Sequence, residues 1–145
     1  MATLRDDPYG AFNFLVDLGT GQDVAGFSEV TGLGQEISYA EYRAGSDRFN
    51  TVRKIPGLTR VGDVTLKRGM AGSLELFEWI KAVRDGQYER RNVVIKLLDE
   101  KREPVIAWLL RNAWPKKLEG PNLNATANEV AIESLTLTCE RLDEE

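Results

Sequence analysis

Short runs in which apolar and polar residues alternate recur along almost the whole chain, and they constrain its fold more than any other feature. Side chains on a β-strand point alternately to its two faces, so each run marks one buried strand surface. The apolar positions of these runs are Phe12, Phe14, Val16 and Leu18; Val64 and Leu66; Val93, Ile95 and Leu97; Ile106, Trp108 and Leu110; and Leu135, Leu137 and Cys139. The pattern predicts a mainly β fold of antiparallel strands.

One segment has the periodicity of a helix instead. The spacing i, i+3, i+4, i+7 that is typical of one buried helix face is followed by Leu76, Trp79, Ile80 and Val83. Ser73 suits the N-cap position, and Gly86 stands where a helix commonly ends. The sequence therefore predicts a single flanking α-helix over about residues 73–85.

The strand patterns that follow this helix carry apolar residues on both faces. Asn92–Asp99 and Pro104–Leu110 are separated by a charged turn and are predicted to form a β-hairpin. Two apolar faces indicate cover on both sides, by the helix on one side and by more sheet on the other. The prolines, glycine and asparagines of Trp114–Asn128 predict a long surface loop, and a shift in apolar phase predicts a bulge near Glu133–Ser134.

Residues 36–55 have a different character and are predicted to form a long extended hairpin. Polar and apolar residues share both faces of this segment, and Ala44–Asn50 has the composition of a hairpin tip. Pro56 is expected to end the arm, because proline donates no ladder hydrogen bond. A strand of such mixed polarity lies at a sheet edge or extends away from the body.

Size and composition indicate one globular domain. The 145 residues, 42% hydrophobic and 29% charged, predict a single domain over residues 1–145 in which residues 1–10 form a loose N-terminal arm. No apolar stretch approaches the roughly 20 residues that span a bilayer, and Met1–Tyr9 lacks the apolar core of a signal peptide. We therefore expect the product to stay in the cytosol unless it is exported. The net charge of −4 disfavours general affinity for nucleic acid.

The chain offers few groups for catalysis or for metal binding. It has no histidine, and its one cysteine, Cys139, lies in an apolar run and is expected to be a small core residue. Glycines that follow the strands lack the continuation of a phosphate-binding loop. Glu133 stands in an otherwise apolar strand but has no evident acidic partner for a two-carboxylate enzyme. We expect no enzymatic activity, no cofactor, and no catalytic, cofactor-binding or metal-binding residues.

Charges of both signs lie close together on the predicted hairpin. The basic residues Arg43, Arg48, Arg53, Lys54 and Arg60 alternate with Glu36, Glu41 and Asp47. Mixed signs at close spacing favour complementary contact between copies of one protein over a track for a polyanion. Trp79 and Trp108 fall on core-facing positions, whereas Trp114 stands beside the predicted loop, where it can either cap the barrel end or bind a neighbour. The candidate subunit-contact residues are Tyr42, Arg43, Arg48, Phe49 and Trp114.

The order of several short segments resembles the tail tube proteins of contractile-tailed phages and related contractile injection systems. The matching segments are Phe12–Val16, Val24–Leu33, Glu41–Gly45, Lys54–Gly57, Val64–Gly69, Trp79–Ile80, Asn112–Pro115 and Val130–Leu135. They are spread over nearly the whole chain, and their order and spacing together are specific, although no single one is diagnostic.

The resemblance implies a β-barrel or sandwich subunit similar to the type VI secretion tube protein, made in the bacterial cytoplasm and assembled in a phage tail or phage-tail-like particle. It implies hexameric rings that stack into an inner tube, with sheath and baseplate proteins as partners. It also implies a lumen that conducts DNA or protein cargo without sequence-specific binding, no role in a membrane, and no catalytic residues. The hairpin and the predicted 115–128 loop would reach adjacent subunits.

One alternative stays open on the sequence alone. Closed β domains of this size often hold a small ligand in their interior. A monomeric or dimeric ligand-binding β-barrel would have an internal pocket. The many large apolar side chains predicted for the strands argue instead for a filled core.

Overall fold

The computed structural model describes residues 6–21, 23–24, 26–70, 72, 74–87 and 89–145. Strands make up most of its regular structure, and one helix lies among them. In chain order the elements are β1 Phe14–Asp17, β2 Asp23–Val24, β3 Phe27–Thr31, β4 Gln35–Tyr42, β5 Arg53–Val61, β6 Val64–Gly69, α1 Glu75–Arg84, β7 Arg91–Leu98, β8 Pro104–Glu119, β9 Ile132–Thr138 and β10 Arg141–Glu144. The mainly β fold and the single flanking helix of the described residues confirm the predicted class.

The long strand β8 joins the two parts of the main sheet. The strands follow the order β2-β1-β7-β8-β9-β6-β3, with β10 also paired to β8, and every pairing is antiparallel. The first part of β8 pairs with β7 and β10, and its last residues pair with β9. The sheets do not close into a barrel, so the fold takes the sandwich form of the prediction.

A bulge at Asn112 marks the place where β8 passes from one part to the other. Arg91 pairs with Ala113 but Val93 pairs with Leu110, so β8 contains an extra residue there. Asn112 has a φ of 53°, a left-handed conformation that asparagine tolerates better than most residues. Its Nδ2 donates to Glu140 Oε2 over 3.0 Å, which ties the bulge to the segment before β10.

The core lies between the two parts of the sheet and beneath α1. Its buried members are Val16, Leu18, Val64, Leu66, Leu76, Trp79, Val93, Ile95, Leu110, Ala113, Leu135, Leu137 and Leu142. Trp79 is buried as predicted, and its Nε1 donates to the carbonyl oxygen of Glu89 over 2.9 Å. Trp108 is half-buried and packs against this cluster. These side chains form one hydrophobic cluster within the described residues.

The predicted bulge near Glu133–Ser134 is wrong. β9 pairs with β6 in unbroken register from Val64 opposite Leu137 to Gly69 opposite Ile132. The alternation is continuous because Glu133, and not an apolar residue, occupies the inward position before Leu135. Val130 and Ile132, which suggested the phase shift, are exposed.

Glu133 forms a buried ion pair with Arg68 on the neighbouring strand. Arg68 Nε donates to Glu133 Oε1 over 2.6 Å, and the two residues are 7% and 8% exposed. The Arg68 guanidinium also lies 5.7 Å from the ring centroid of Phe27 on β3. The sequence showed no acidic residue that could act together with Glu133. In the structure its partner is the basic residue Arg68 on the neighbouring strand.

Two segments that were predicted to leave the strands continue them. β8 runs through Trp114 and Pro115 to Glu119, so the irregular loop covers only residues 120–131. β5 continues through Pro56 to Val61, opposite β4, with a register shift between Ile37 and Tyr39. Both strands of a two-stranded sheet are edges, so the missing N–H of a proline can face the open side.

The helix begins two residues later than predicted. Leu74 occupies the N-cap position without a side-chain cap, and Ser73, the predicted cap, lies outside the described residues, as do residues 1–5 of the predicted arm. Residues 6–10 have no helix or strand. Among the described residues, no helix is long and apolar enough to cross a membrane.

Replacing Glu133 with alanine should destabilise the protein strongly. The substitution leaves the Arg68 guanidinium buried without its counter-charge, which typically costs about 3–5 kcal/mol of the free energy of unfolding. Chemical denaturation at a fixed protein concentration measures the change. The double variant Arg68→Leu, Glu133→Leu is the control, because it removes both charges and should recover most of the loss. A Glu133→Ala variant with wild-type stability would contradict a role for this ion pair.

Candidate functional site

The β4–β5 hairpin stands apart from the rest of the protein. Its two strands pair with each other and not with the main sheet, and β5 meets the body at β10. Almost every residue of both strands is exposed. An isolated two-stranded hairpin is at best marginally stable in water. This segment therefore lacks the packing that stabilises the other long strands.

The β4–β5 hairpin exposes an unusual number of large apolar side chains. They are Ile37, Tyr39, Tyr42, Phe49, Val52, Ile55 and Leu58. Leu58 is 77% and Phe49 is 76% exposed. Single exposed apolar residues are common, but a group of this kind on one segment is typical of an interaction surface. The exposure of these residues identifies the β4–β5 hairpin as the first candidate site.

Both faces of this hairpin combine apolar groups with charge. Residues directly opposite each other share a face, so Tyr39 and Pro56 lie on one face with the adjacent pair Glu41 and Lys54. Lys54 Nζ lies 5.0 Å from the ring centroid of Tyr39. The other face carries the pairs Ala40 with Ile55 and Tyr42 with Arg53. The hairpin can therefore contact a different neighbour on each side.

Glycines fix the point at which the hairpin leaves the body. Gly32 has a φ of 88°, and a Cβ at this position would lie 2.1 Å from the carbonyl oxygen of Asp63. Gly34 N donates to Gly32 O over 2.8 Å, and Gly62 N donates to Gly34 O over 3.1 Å. Only glycine fits the first of these positions without moving the backbone. The exit direction of the hairpin is therefore set by the backbone itself.

Two ion pairs lie on β10, the strand that contacts β5. Asp143 on β10 accepts hydrogen bonds from Arg111 over 2.7 Å and from Arg141 over 3.0 Å. The hydrogen bond from Arg111 is the main reason that the pKa of Asp143 lies below its usual range, and Arg141 adds to the effect. The hydrogen bond from Arg111 on β8 to this carboxylate on β10 adds to the backbone pairing of the two strands.

Arg43 and Asp47 organise the hairpin tip, residues 44–50. Arg43 Nε donates to Phe49 O over 3.1 Å, and its Nη2 donates to Asp47 O over 3.2 Å and to Asn50 Oδ1 over 3.3 Å. Asp47 accepts from Ala44 N and from Arg53 Nη2, each over 3.0 Å. These contacts hold the tip in one shape while the Phe49 side chain stays exposed.

The β4–β5 hairpin and the rest of the chain carry charge of opposite sign. Residues 35–61 contain five basic residues and three acidic ones, a net charge of +2. The whole chain has a net charge of −4, which leaves −6 on the remaining residues. Opposite charge on two parts of one chain favours contact between the hairpin of one copy and the body of another.

A second apolar surface lies beside α1. We call it the helix groove, and its lining residues are Met70, Leu74, Phe77, Ile80, Arg84, Leu118, Glu119, Gly120 and Glu133. Leu74 and Met70 are exposed, and Phe77 is 49% exposed. The hydrogen bond from Lys117 is the main cause that lowers the pKa of Glu119, and the two side chains form an ion pair. The groove therefore combines exposed apolar side chains with the charged groups of Arg84 and Glu119, whereas Glu133 is buried against Arg68.

The structure brings some of the sequence-predicted contact residues together and separates others. Tyr42, Arg43, Arg48 and Phe49 are all exposed on the hairpin or its tip, and the Arg43 guanidinium also donates to the backbone of the tip. Trp114 is half-buried on β8 opposite Thr138, on the main sheet. Sequence reasoning missed the helix groove. Its signal was Leu74 and Phe77, which lie off the buried stripe of α1.

The described residues offer no group of three or more Cys, Asp or Glu side chains that is arranged to hold a metal ion. Cys139 is half-buried, and burial is the main cause that raises the pKa of its thiol. The prominent features of the surface are thus apolar contacts and fixed charges, which suit association.

The chain is similar to proteins of known structure and to one family model. Residues 10–143 match the family model described as T4-like virus tail tube protein gp19. A chain of the PVC sheath–tube complex, from an extracellular contractile injection system in the extended state, is 30% identical with a TM-score of 0.85; the match covers 95% of this chain and 91% of that one.

Two further structures are similar. A chain of the anti-feeding prophage tube-terminating cap is 30% identical with a TM-score of 0.88, over 100% of this chain and 95% of that one. Hcp1 from Flavobacterium johnsoniae is 19% identical with a TM-score of 0.56, over 90% and 93%, a likeness of fold alone. None of the curated proteins matches this chain significantly.

Replacing Arg43 with alanine should loosen the hairpin tip. The variant loses the hydrogen bonds to Phe49 O, Asp47 O and Asn50 Oδ1, so the tip should open more often to a protease. We expect chymotrypsin to cleave after Phe49 several-fold faster, as measured by mass spectrometry of the fragments. Arg48→Ala is the matched control and should cleave at close to the wild-type rate. Equal rates for wild type and Arg43→Ala would show that Arg43 does not order the tip.

Proposed function

The chain belongs to the T4-like tail tube protein family, and from this membership we propose how it builds a tube. It is a structural subunit of the inner tube of a contractile phage tail or of a phage-tail-like injection system. Its copies form hexameric rings, and the rings stack around a lumen. DNA or protein cargo passes through this lumen without sequence-specific binding.

The observation that carries the proposal is the exposed β4–β5 hairpin. A segment with large apolar side chains on both faces and little support from its own body gains stability when neighbours cover it. Contacts between two different patches of identical subunits close into a ring or continue as a filament, and a tube of stacked rings needs both. The hairpin supplies one such patch, and the acidic body supplies the other.

The residues of the hairpin have different roles in this proposal. Tyr42, Arg48 and Phe49 contact neighbouring subunits directly, because their side chains are exposed. Arg43 acts indirectly by holding the tip in shape. Trp114 contributes through the exposed part of its side chain on β8. The open edges at the two ends of the main sheet, β2 and β3, allow neighbours in a ring to continue the sheet.

The remaining partners follow from the family. The similar structures include a sheath–tube complex and a baseplate, so in our proposal a sheath surrounds the tube and a baseplate stands at its end. The role is mechanical: the chain acts as one domain, needs no cofactor and catalyses no reaction. Synthesis takes place in the bacterial cytoplasm, and the protein then enters the particle.

Replacing the hairpin tip, residues 44–50, with a two-residue turn should abolish ring stacking. The replacement removes Arg48 and Phe49 and leaves the body and its core intact. Negative-stain electron microscopy of the purified proteins measures the outcome. We expect annular particles and tubes from wild type, and single rings or unassembled subunits from the variant.

The control shortens another exposed hairpin turn. Asp99–Glu103 joins β7 to β8, and its replacement with a two-residue turn should leave tubes intact. Circular dichroism of each variant verifies that the body is folded. Tubes of normal length from the variant without residues 44–50 would count against a stacking role for the tip.

A further inference from the structure

We propose that the helix groove of one subunit receives the hairpin tip of a second subunit. This inference rests on the proposed function, and it assigns to the stacking contact a specific pair of surfaces. The tip contributes Phe49 and Arg48, and the groove contributes its apolar lining together with the exposed carboxylate of Glu119.

The described residues leave the apolar lining of the groove exposed. Met70, Leu74 and Phe77 expose much of their apolar surface along it, and no residue of the β4–β5 hairpin lines it among the described residues. Covering exposed apolar area is worth about 25 cal/mol per Å². An aromatic ring inserted into the groove would therefore stabilise each contact between two subunits.

The hairpin tip presents side chains that are complementary to the groove. Phe49 projects from the tip with 76% of its surface exposed, although its own backbone is held by Arg43. Arg48 is the adjacent residue and is also exposed. An aromatic ring beside a guanidinium matches an apolar groove that has the exposed carboxylate of Glu119 at its border. Because the tip is already ordered, little further entropy is lost when it docks.

Charge favours a second copy of this chain over an unrelated occupant. The β4–β5 hairpin carries +2 and the remaining residues carry −6, so the hairpin of one subunit is attracted to the body of another. A contact between tip and groove also joins two different patches of the same protein. Such a heterologous contact can repeat from subunit to subunit without limit, which is the requirement for a filament.

Cross-linking between two single-cysteine variants tests the contact. Both variants carry Cys139→Ser; one adds Ser46→Cys at the tip and the other adds Gly120→Cys at the groove, where a Cβ meets nothing within 4 Å. The two proteins are mixed, assembled and treated with a short bismaleimide. Only a contact between different chains gives a heterodimer, which mass spectrometry of the linked peptides identifies. We expect this heterodimer when assembled tubes are treated, and little of it when the subunits are dissociated before the reagent is added.

The control mixture pairs Ser46→Cys with Lys101→Cys, which lies in the exposed turn between β7 and β8. It should give at least about tenfold less heterodimer, equivalent to 1.4 kcal/mol of preference. Similar yields from both mixtures would overturn the inference, because the tip would then have no preferred site.

Two other outcomes separate this inference from the proposed function. If tubes form but the thiol introduced by Gly120→Cys stays as reactive toward a free maleimide as in dissociated subunits, the groove is open to a different partner. The inference then fails while the proposed function stands. If neither rings nor tubes form with wild-type protein, the proposed function fails and the inference fails with it.

A second variant does not depend on the cross-linker. Phe77→Ser removes apolar surface from the groove on a side chain that is 49% exposed. It should raise the protein concentration required for tube assembly by about tenfold. Phe12→Ser, at a more exposed phenylalanine away from the groove, is the matched control and should leave that concentration unchanged. An unchanged concentration for Phe77→Ser would contradict the docking of the tip.

Discussion

A two-stranded hairpin with apolar side chains on both faces is not stable on its own, and this constraint explains the organisation of the molecule. Among the described residues, no layer packs over either face of the β4–β5 hairpin. The strands of the sandwich, by contrast, pack around a continuous core. In our proposal, the sandwich is therefore stable in the isolated subunit, and the hairpin is stabilised by contact with further copies.

The body supplies the rigidity that a protruding hairpin requires. The Asn112 bulge lets β8 serve both parts of the sheet, and the Arg68–Glu133 ion pair links β6 to β9. Gly32 then sets the direction in which the chain leaves this body. A tube transmits force along its axis, so joints that project from a stiff sandwich suit this role better than joints on flexible loops.

Much of the fold was predictable because alternation in the sequence reports directly on strands. The core helix face, the buried Trp79 and the long hairpin were all predicted from local pattern. Two errors came from reading proline as a strand end: Pro56 lies within β5 and Pro115 within β8. The pairing of Glu133 with Arg68 was invisible because the partners are 65 residues apart in the chain. The helix groove was missed for a similar reason, since it forms only when α1 meets the end of β8.

Amide hydrogen exchange, followed by mass spectrometry in dissociated subunits and in assembled tubes, tests the central claim most directly. The account predicts that β4 and β5 exchange quickly in the dissociated subunit and become strongly protected in the tube, whereas β7 and the first part of β8 are protected in both. Equal protection of the β4–β5 hairpin in both states would show that the hairpin is stable without neighbours, and would contradict the account.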